Sequence, residues 1–97
     1  MNKTELASKL ASQTDLTQAK ANEVIEAIFS TEPGQGIIAV ELDAEGEVSI
    51  SGFGKFETRR RAARQGRNPA TGATIQIAAK TVAAFKAAKG LRDRVER

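Results

Sequence analysis

The stretch "RRRAARQGRNPATG", residues 59–72, places five arginines in its first nine positions and holds no acidic residue. It closes on Asn68-Pro69-Ala70-Thr71-Gly72, a run of strong turn formers. Alternation lies on both sides of it. Upstream, Val48 and Ile50 alternate with Ser49 and Ser51, Gly52-Phe53-Gly54 turns, and Lys55-Phe56-Glu57-Thr58 leads as a second strand into the arginines. Downstream, Thr74-Ile75-Gln76-Ile77-Ala78 alternates again and returns antiparallel. The stretch is thus a hairpin spanning 59–77, with roughly nine residues per limb and a reach of about 30 Å at ~3.3 Å per residue.

The outgoing limb has almost no large apolar residue, so it cannot pack on a core and stands in water as a two-stranded ribbon. A ribbon carrying paired guanidinium groups has the dimensions to follow a nucleic-acid groove. Arginine suits that task because its planar fork grips phosphate bidentately and tolerates desolvation. The competing reading of a charge run is a solvated face or a disordered tail. Such tails sit at termini, whereas this run is internal and alternation resumes directly after the turn. Pro69 carries two readings, a turn residue of fixed φ or a rigid apolar ring that wedges between base pairs. The residues alone leave both open.

Composition narrows the class. Ninety-seven residues suit one small domain, which buries proportionally little surface. The absence of cysteine removes disulfides and thiolate metal sites, leaving oligomerisation as the common remedy. The absence of histidine removes the usual neutral-pH acid/base and the commonest metal ligand. No carboxylate cluster sits by an obvious nucleophile and no glycine motif has phosphate-loop spacing. An enzyme, a cofactor, a metal and a small-molecule substrate are therefore not expected. There is no apolar h-region and no run of eighteen apolar residues, so neither a signal peptide nor a membrane span is expected, and a cytoplasmic location fits. The net charge of +3 hides a polarity: three lysines face nine acids in residues 1–51, while twelve Lys and Arg face three acids in 52–97. A chain so polarised points one end at a polyanion.

The rest of the chain reads as helix. Asn2 caps a first helix, with Glu5 as its capping-box partner and Leu6 and Leu10 on one face. Thr17 caps a second, in which Ala21, Val24, Ile25, Ile28 and Phe29 repeat at amphipathic spacing, making a helical hairpin. Glu32-Pro33-Gly34-Gln35-Gly36 ends or sharply bends that helix. "IIAVEL" (37–42) is ambiguous between strand and helix. Thr81 is expected to cap a last helix with Val82, Phe85 and Leu91 inward and Gly90 weakening its end.

"GFGKF" (52–56), "GRNPATG" (66–72), "IAAKTVAAFKAAKGLRD" (77–93) and the opening "MNKTELASKLA" resemble the HU/IHF family of bacterial histone-like DNA-binding proteins. The match covers most of the chain except roughly residues 30–40. The resemblance implies an α+β fold: a helical-hairpin base, a three-stranded antiparallel sheet with a long β-ribbon arm, and a C-terminal helix, in an intertwined homodimer. It implies a single domain, 1–97, with 1–58 and 78–97 as dimerising body and 59–77 as DNA-binding arm. Residues 37–43 become a resumed helical segment after an insertion of about eight residues. The partner implied is double-stranded DNA, bound through the minor groove with little sequence specificity, bent and compacted in the nucleoid. By position, Pro69 is the intercalating wedge, with Arg67 and Asn68 beside it in the groove. Arg59, Arg61 and Arg64 line the arm against sugars and phosphates, and Lys3, Lys80 and Lys86 touch the outer backbone of the bent duplex. Alternation turns Arg60 away from Arg59 and Arg61. Phe53, Phe56 and Phe85 are packing residues. Ala73 stands where the family often has lysine, and the returning limb has no cation before Lys80. The rival functions are a site-specific DNA-bending member of the same family, and an RNA-binding or protein-interaction module using the ribbon.

Overall fold

The computed structural model describes residues 1–97. The chain forms two compact units, Met1–Ala44 and Glu45–Arg97. The first is helical: α1 (Lys3–Gln13), α2 (Gln18–Phe29) and α3 (Ile37–Asp43). Both expected caps form. Asn2 Oδ1 accepts from the Glu5 N–H at 2.9 Å, and Thr17 Oγ1 accepts from the Lys20 N–H at 3.1 Å. The hairpin packs around Ala7, Ala21 and Ile25, with Leu6, Leu10 and Ala11 partly buried against them.

Helix α2 stops at Phe29, before the proline. Ser30 is its C-cap and is buried, and its hydroxyl accepts from the Glu32 N–H at 3.2 Å. The loop closes back on itself at Gly36, whose φ is +80° and where a Cβ would sit 2.0 Å from the Ser30 carbonyl oxygen. Only glycine fits both the left-handed backbone and that approach. The Gly36 carbonyl then accepts from the Val40 N–H at 2.9 Å, and "IIAVEL" is helix, as the family resemblance implies and against its β-branched composition.

The second unit is a three-stranded antiparallel sheet in the order β1 (Val48–Ile50), β2 (Gly54–Arg61), β5 (Lys80–Ala87), a separate two-stranded sheet of β3 (Arg64–Arg67) with β4 (Thr74–Ile77), and helix α4 (Lys89–Val95). Strand β2 does run into the arginines. One element differs from expectation. The third strand of the body sheet is Lys80–Ala87, not the returning limb at 74–78, and Thr81 caps nothing because it lies inside that strand. The alanine-rich "TVAAFKAA" has helical composition, and Val82 and Phe85 have the i, i+3 spacing of one helix face. Eight paired residues on β2 override both. Val82 lies opposite Arg59 and Phe85 opposite Phe56, so the two side chains point to opposite faces of the sheet.

The C-terminal helix is correspondingly short, with Ala88 as N-cap. Gly90 falls in its first turn rather than near its end. A Cβ there would come 2.8 Å from the Gly52 carbonyl oxygen, so the small residue permits the helix to sit on the Gly52 turn.

Candidate nucleic-acid interface

Register sorts the sheet into two chemically distinct faces. In antiparallel pairs, residues directly opposite share a face. Val48 and Ile50 pair with Phe56 and Gly54, and Phe56 pairs with Phe85, so one face is apolar. Phe85 stacks against Phe56 at 4.9 Å between ring centroids and against Phe53 at 5.9 Å, both tilted. The three phenylalanines pack together, yet Phe53 and Phe85 remain 48% and 44% exposed in the single chain.

The other face is cationic. It carries Lys55, Arg59 and Arg61 from β2 and their neighbours Lys86 and Lys80 from β5, with Lys55 opposite Lys86 and Arg61 opposite Lys80. Arg60 pairs with Thr81 and lies on the phenylalanine face, as alternation expects. Extending the same alternation back two positions from Glu57 would have added Lys55 to the sequence-derived set. Beyond the strand ends, Ser49, Ser51, Lys55, Lys86, Lys89 and Arg92 line one shallow concavity. Lys89 and Arg92 were not legible as part of it, because they join it only once the helix is known to start at Lys89.

Glu57 is the one carboxylate on the strands of this face, while Lys89 in the concavity pairs with Asp93 at 2.6 Å. The Glu57 Oε2 is 3.3 Å from Lys55 Nζ, and its Oε1 is 3.3 Å from both Nε and NH2 of Arg59. Lys55 also reaches Glu47 at 3.4 Å. The Lys55 hydrogen bond, opposed by partial desolvation and aided by Arg59, holds the Glu57 carboxyl below its usual range. The same bond, with Glu47 adding its charge, raises the Lys55 ammonium.

Body pairing ends at Arg61 with Lys80, and arm pairing begins at Arg64 with Ile77. Ala62 and Ala63 on one limb and Ala78 and Ala79 on the other lie outside the ladder, equal in number, so the register carries through unchanged. The arm itself is two-faced. Arg64 and Gly66 lie opposite Ile77 and Ile75, while Gln65 and Arg67 lie opposite Gln76 and Thr74. The isoleucines fold over the space Gly66 leaves, where a Cβ would meet Ile77 at 2.9 Å. Arg64 and Arg67 therefore occupy opposite faces of the ribbon.

At the tip, the Asn68 N–H donates to the Ala73 carbonyl at 2.8 Å and the Gly72 N–H donates to the Asn68 carbonyl at 2.7 Å. The Asn68 side chain accepts from the Ala70 N–H at 2.9 Å, and Thr71 Oγ1 from the Ala73 N–H at 3.3 Å. Gly72 completes the reversal at φ +72°. None of these bonds involves Pro69, whose ring is exposed at the end of the arm. Lys3 belongs to the helical unit, at the start of α1, where it pairs with Glu26 at 2.8 Å.

A small α+β chain with a cationic sheet face continued by a basic ribbon defines a nucleic-acid-binding class that grips with β-strands. Comparison with known proteins gives the family. The sequence model of the bacterial DNA-binding protein family matches residues 1–96. "DNA-binding protein HU" of Streptococcus pyogenes serotype M18 is 51% identical over 96 residues, covering 98% of each chain. The protein of the same name from Staphylococcus aureus strain COL is 46% identical over 96 residues, covering 99% of this chain and 100% of its own. Among solved structures, an Anabaena HU–DNA cocrystal superposes with a TM-score of 0.84 at 38% identity, over 99% of this chain and 98% of that one. The chain belongs to the bacterial DNA-binding protein family, that of HU and IHF. No helix in it is long and apolar enough to cross a membrane.

Proposed function

We propose that this protein is an architectural DNA-binding homodimer that bends and compacts duplex DNA with little sequence specificity. The observation that carries this is the single register running from the cationic sheet face into the ribbon. It sets Arg59, Arg61, Lys80 and Lys86 on one surface, with Pro69 at the tip of the ribbon that continues those strands in the same register. The relatives named for DNA binding and the HU–DNA cocrystal support duplex DNA as the partner. Arg59, Arg61, Lys80 and Lys86 hold phosphates, which fix position without reading sequence. Lys3 and Arg64 add contacts to the sugar–phosphate backbone, and Arg67 and Asn68 enter the minor groove. Pro69 is the wedge. Minor-groove architectural proteins, HU and IHF among them, insert apolar side chains between base steps and so kink the duplex. The hydrogen bonds that close the Asn68–Gly72 turn run through Asn68, Thr71, Gly72 and Ala73, and the exposed Pro69 ring is available for that role.

The homodimer rests on burial. Only three hydrophobic residues are buried in the single chain, and no large side chain is fully so. Phe29, Ile50, Phe53 and Phe85 each stay more than two-fifths exposed, which a second copy would cover. The body of this dimer is 1–58 and 78–97 and the arm 59–77, with the first three arm residues sharing the body sheet. Its work is binding and bending rather than catalysis, in the bacterial cytoplasm on the nucleoid.

The test is a gel-shift and fluorescence-transfer bending assay on linear, nicked and cruciform DNA and on duplex RNA, across a salt series. Bending of linear DNA and tighter binding to nicked and cruciform forms is the expected result. Equal affinity for duplex RNA with no bending would overturn the reading. Binding confined to one DNA sequence would make the protein a site-specific bender instead.

A further inference from the structure

We propose that Glu57 is a built-in counter-ion that competes with DNA phosphate for Lys55 and Arg59, and so tunes how tightly and how salt-dependently the sheet face binds. The inference rests on the DNA-binding reading above and adds a residue that opposes it.

Glu57 is the sole acid in strands β1, β2 and β5 and in the whole arm. It lies on the cationic face, between Lys55 and Arg59 at the i−2 and i+2 positions of its own strand, and spends one carboxylate oxygen on each. Directly across the ladder is Ala84, which offers no polar atom to either oxygen. The contacts therefore join neighbours on a single strand and close no distance between elements. Lys55 and Glu57 are half-buried and Arg59 is exposed. Ion pairs between residues two apart on one strand tie no elements together, and partly exposed ones add little to folding, so holding the fold together does not account for them.

Their effect on binding is another matter. A guanidinium already engaged by a carboxylate has to release it before it can take a phosphate in the same fork. The released carboxylate then remains on the face the phosphates approach, where like charges repel. Lys55 keeps a second partner, Glu47, when Glu57 lets go, whereas Glu57 is the only acid paired with Arg59. Arg59 is accordingly the cation whose contribution Glu57 discounts most. Arg61 and Lys80, which have no acidic partner, bind at full strength.

The experiment measures duplex DNA affinity across a salt series for the wild type, Glu57→Gln, Arg59→Gln and the double variant. Glu96→Gln serves as control, since it changes net charge equally in a residue that makes no ion pair at the far end of α4. Glu57→Gln should tighten binding and steepen the log–log salt slope by about 0.9 for each added phosphate contact, with only a small change in melting temperature. Arg59→Gln should weaken binding more when introduced into the Glu57→Gln variant than when introduced into the wild type. Three results would overturn the proposal: Glu57→Gln matching the wild type or the Glu96→Gln control, an Arg59→Gln loss equal in both backgrounds, or weaker binding together with a lowered melting temperature. A wild type that fails to bind duplex DNA would overturn the functional reading itself, and is seen before any variant is made.

Discussion

Replacing Arg61 and Arg64 together by alanine tests whether the strand-to-arm junction is the electrostatic grip. Arg61 closes the body ladder opposite Lys80, and Arg64 opens the arm ladder opposite Ile77. Both are exposed and neither is held by a carboxylate, so both are available to phosphate. In a homodimer the double variant removes four such contacts. Each contributes about 0.9 to the log–log salt slope on B-DNA, so the slope should flatten by ~3.6. Between about 50 and 200 mM salt, the wild type should then lose ~150-fold more affinity than the variant. Affinity should fall alike for unrelated DNA sequences, since phosphate contacts carry no sequence information. The assay is fluorescence anisotropy on two duplexes of different sequence, titrated at five salt concentrations. A slope unchanged within error would rule the junction out as the grip and move it elsewhere. A loss confined to one duplex would show that these side chains read bases.

Further outcomes follow from the same geometry. Pro69→Ala should leave the dimer and the salt slope intact, because the turn closes through Asn68 and Gly72, but should reduce bending and the preference for nicked over intact DNA in a fluorescence-transfer assay. Unchanged bending would return Pro69 to an ordinary turn residue. Sedimentation at micromolar concentration should show a dimer, and the melting temperature should fall on dilution; a folded monomer of constant stability would contradict the burial argument. Gly36→Ala should destabilise the protein by ~1–2 kcal/mol through the left-handed backbone alone, and by more because its Cβ meets the Ser30 carbonyl oxygen, with the melting temperature as the measure. In a carbon-detected titration, Glu57 should protonate below the ordinary glutamate range, and Lys55→Met should move it upward. Because its folded value is depressed, its contribution to stability is present above the ordinary glutamate range and fades as pH falls through the lowered value.

Local chemistry makes much of this protein legible from the chain alone. Asn2 and Thr17 announce their helices because capping is a short-range bond between a side chain and an N–H three residues on. The arm is readable because five arginines, a turn cluster and resumed alternation lie next to one another in sequence. Pro69, Asn68 and Arg67 stand out for the same reason. What sequence could not decide was anything set by pairing between distant segments. "TVAAFKA" (81–87) became strand because Arg59, Phe56 and their neighbours on β2 supply its hydrogen-bond partners, and nothing within those seven residues encodes that. That one choice carried others with it. It put Val82 and Phe85 on opposite faces, moved the last helix to Lys89, and brought Lys89 and Arg92 beside Ser49 and Lys55. It also set Lys80 and Lys86 beside the β2 cations, whose shared face with Glu57 follows from alternation along β2 alone. A side chain's type is written in the chain, but its neighbours across a sheet are chosen by register, and register is settled only when the strands meet.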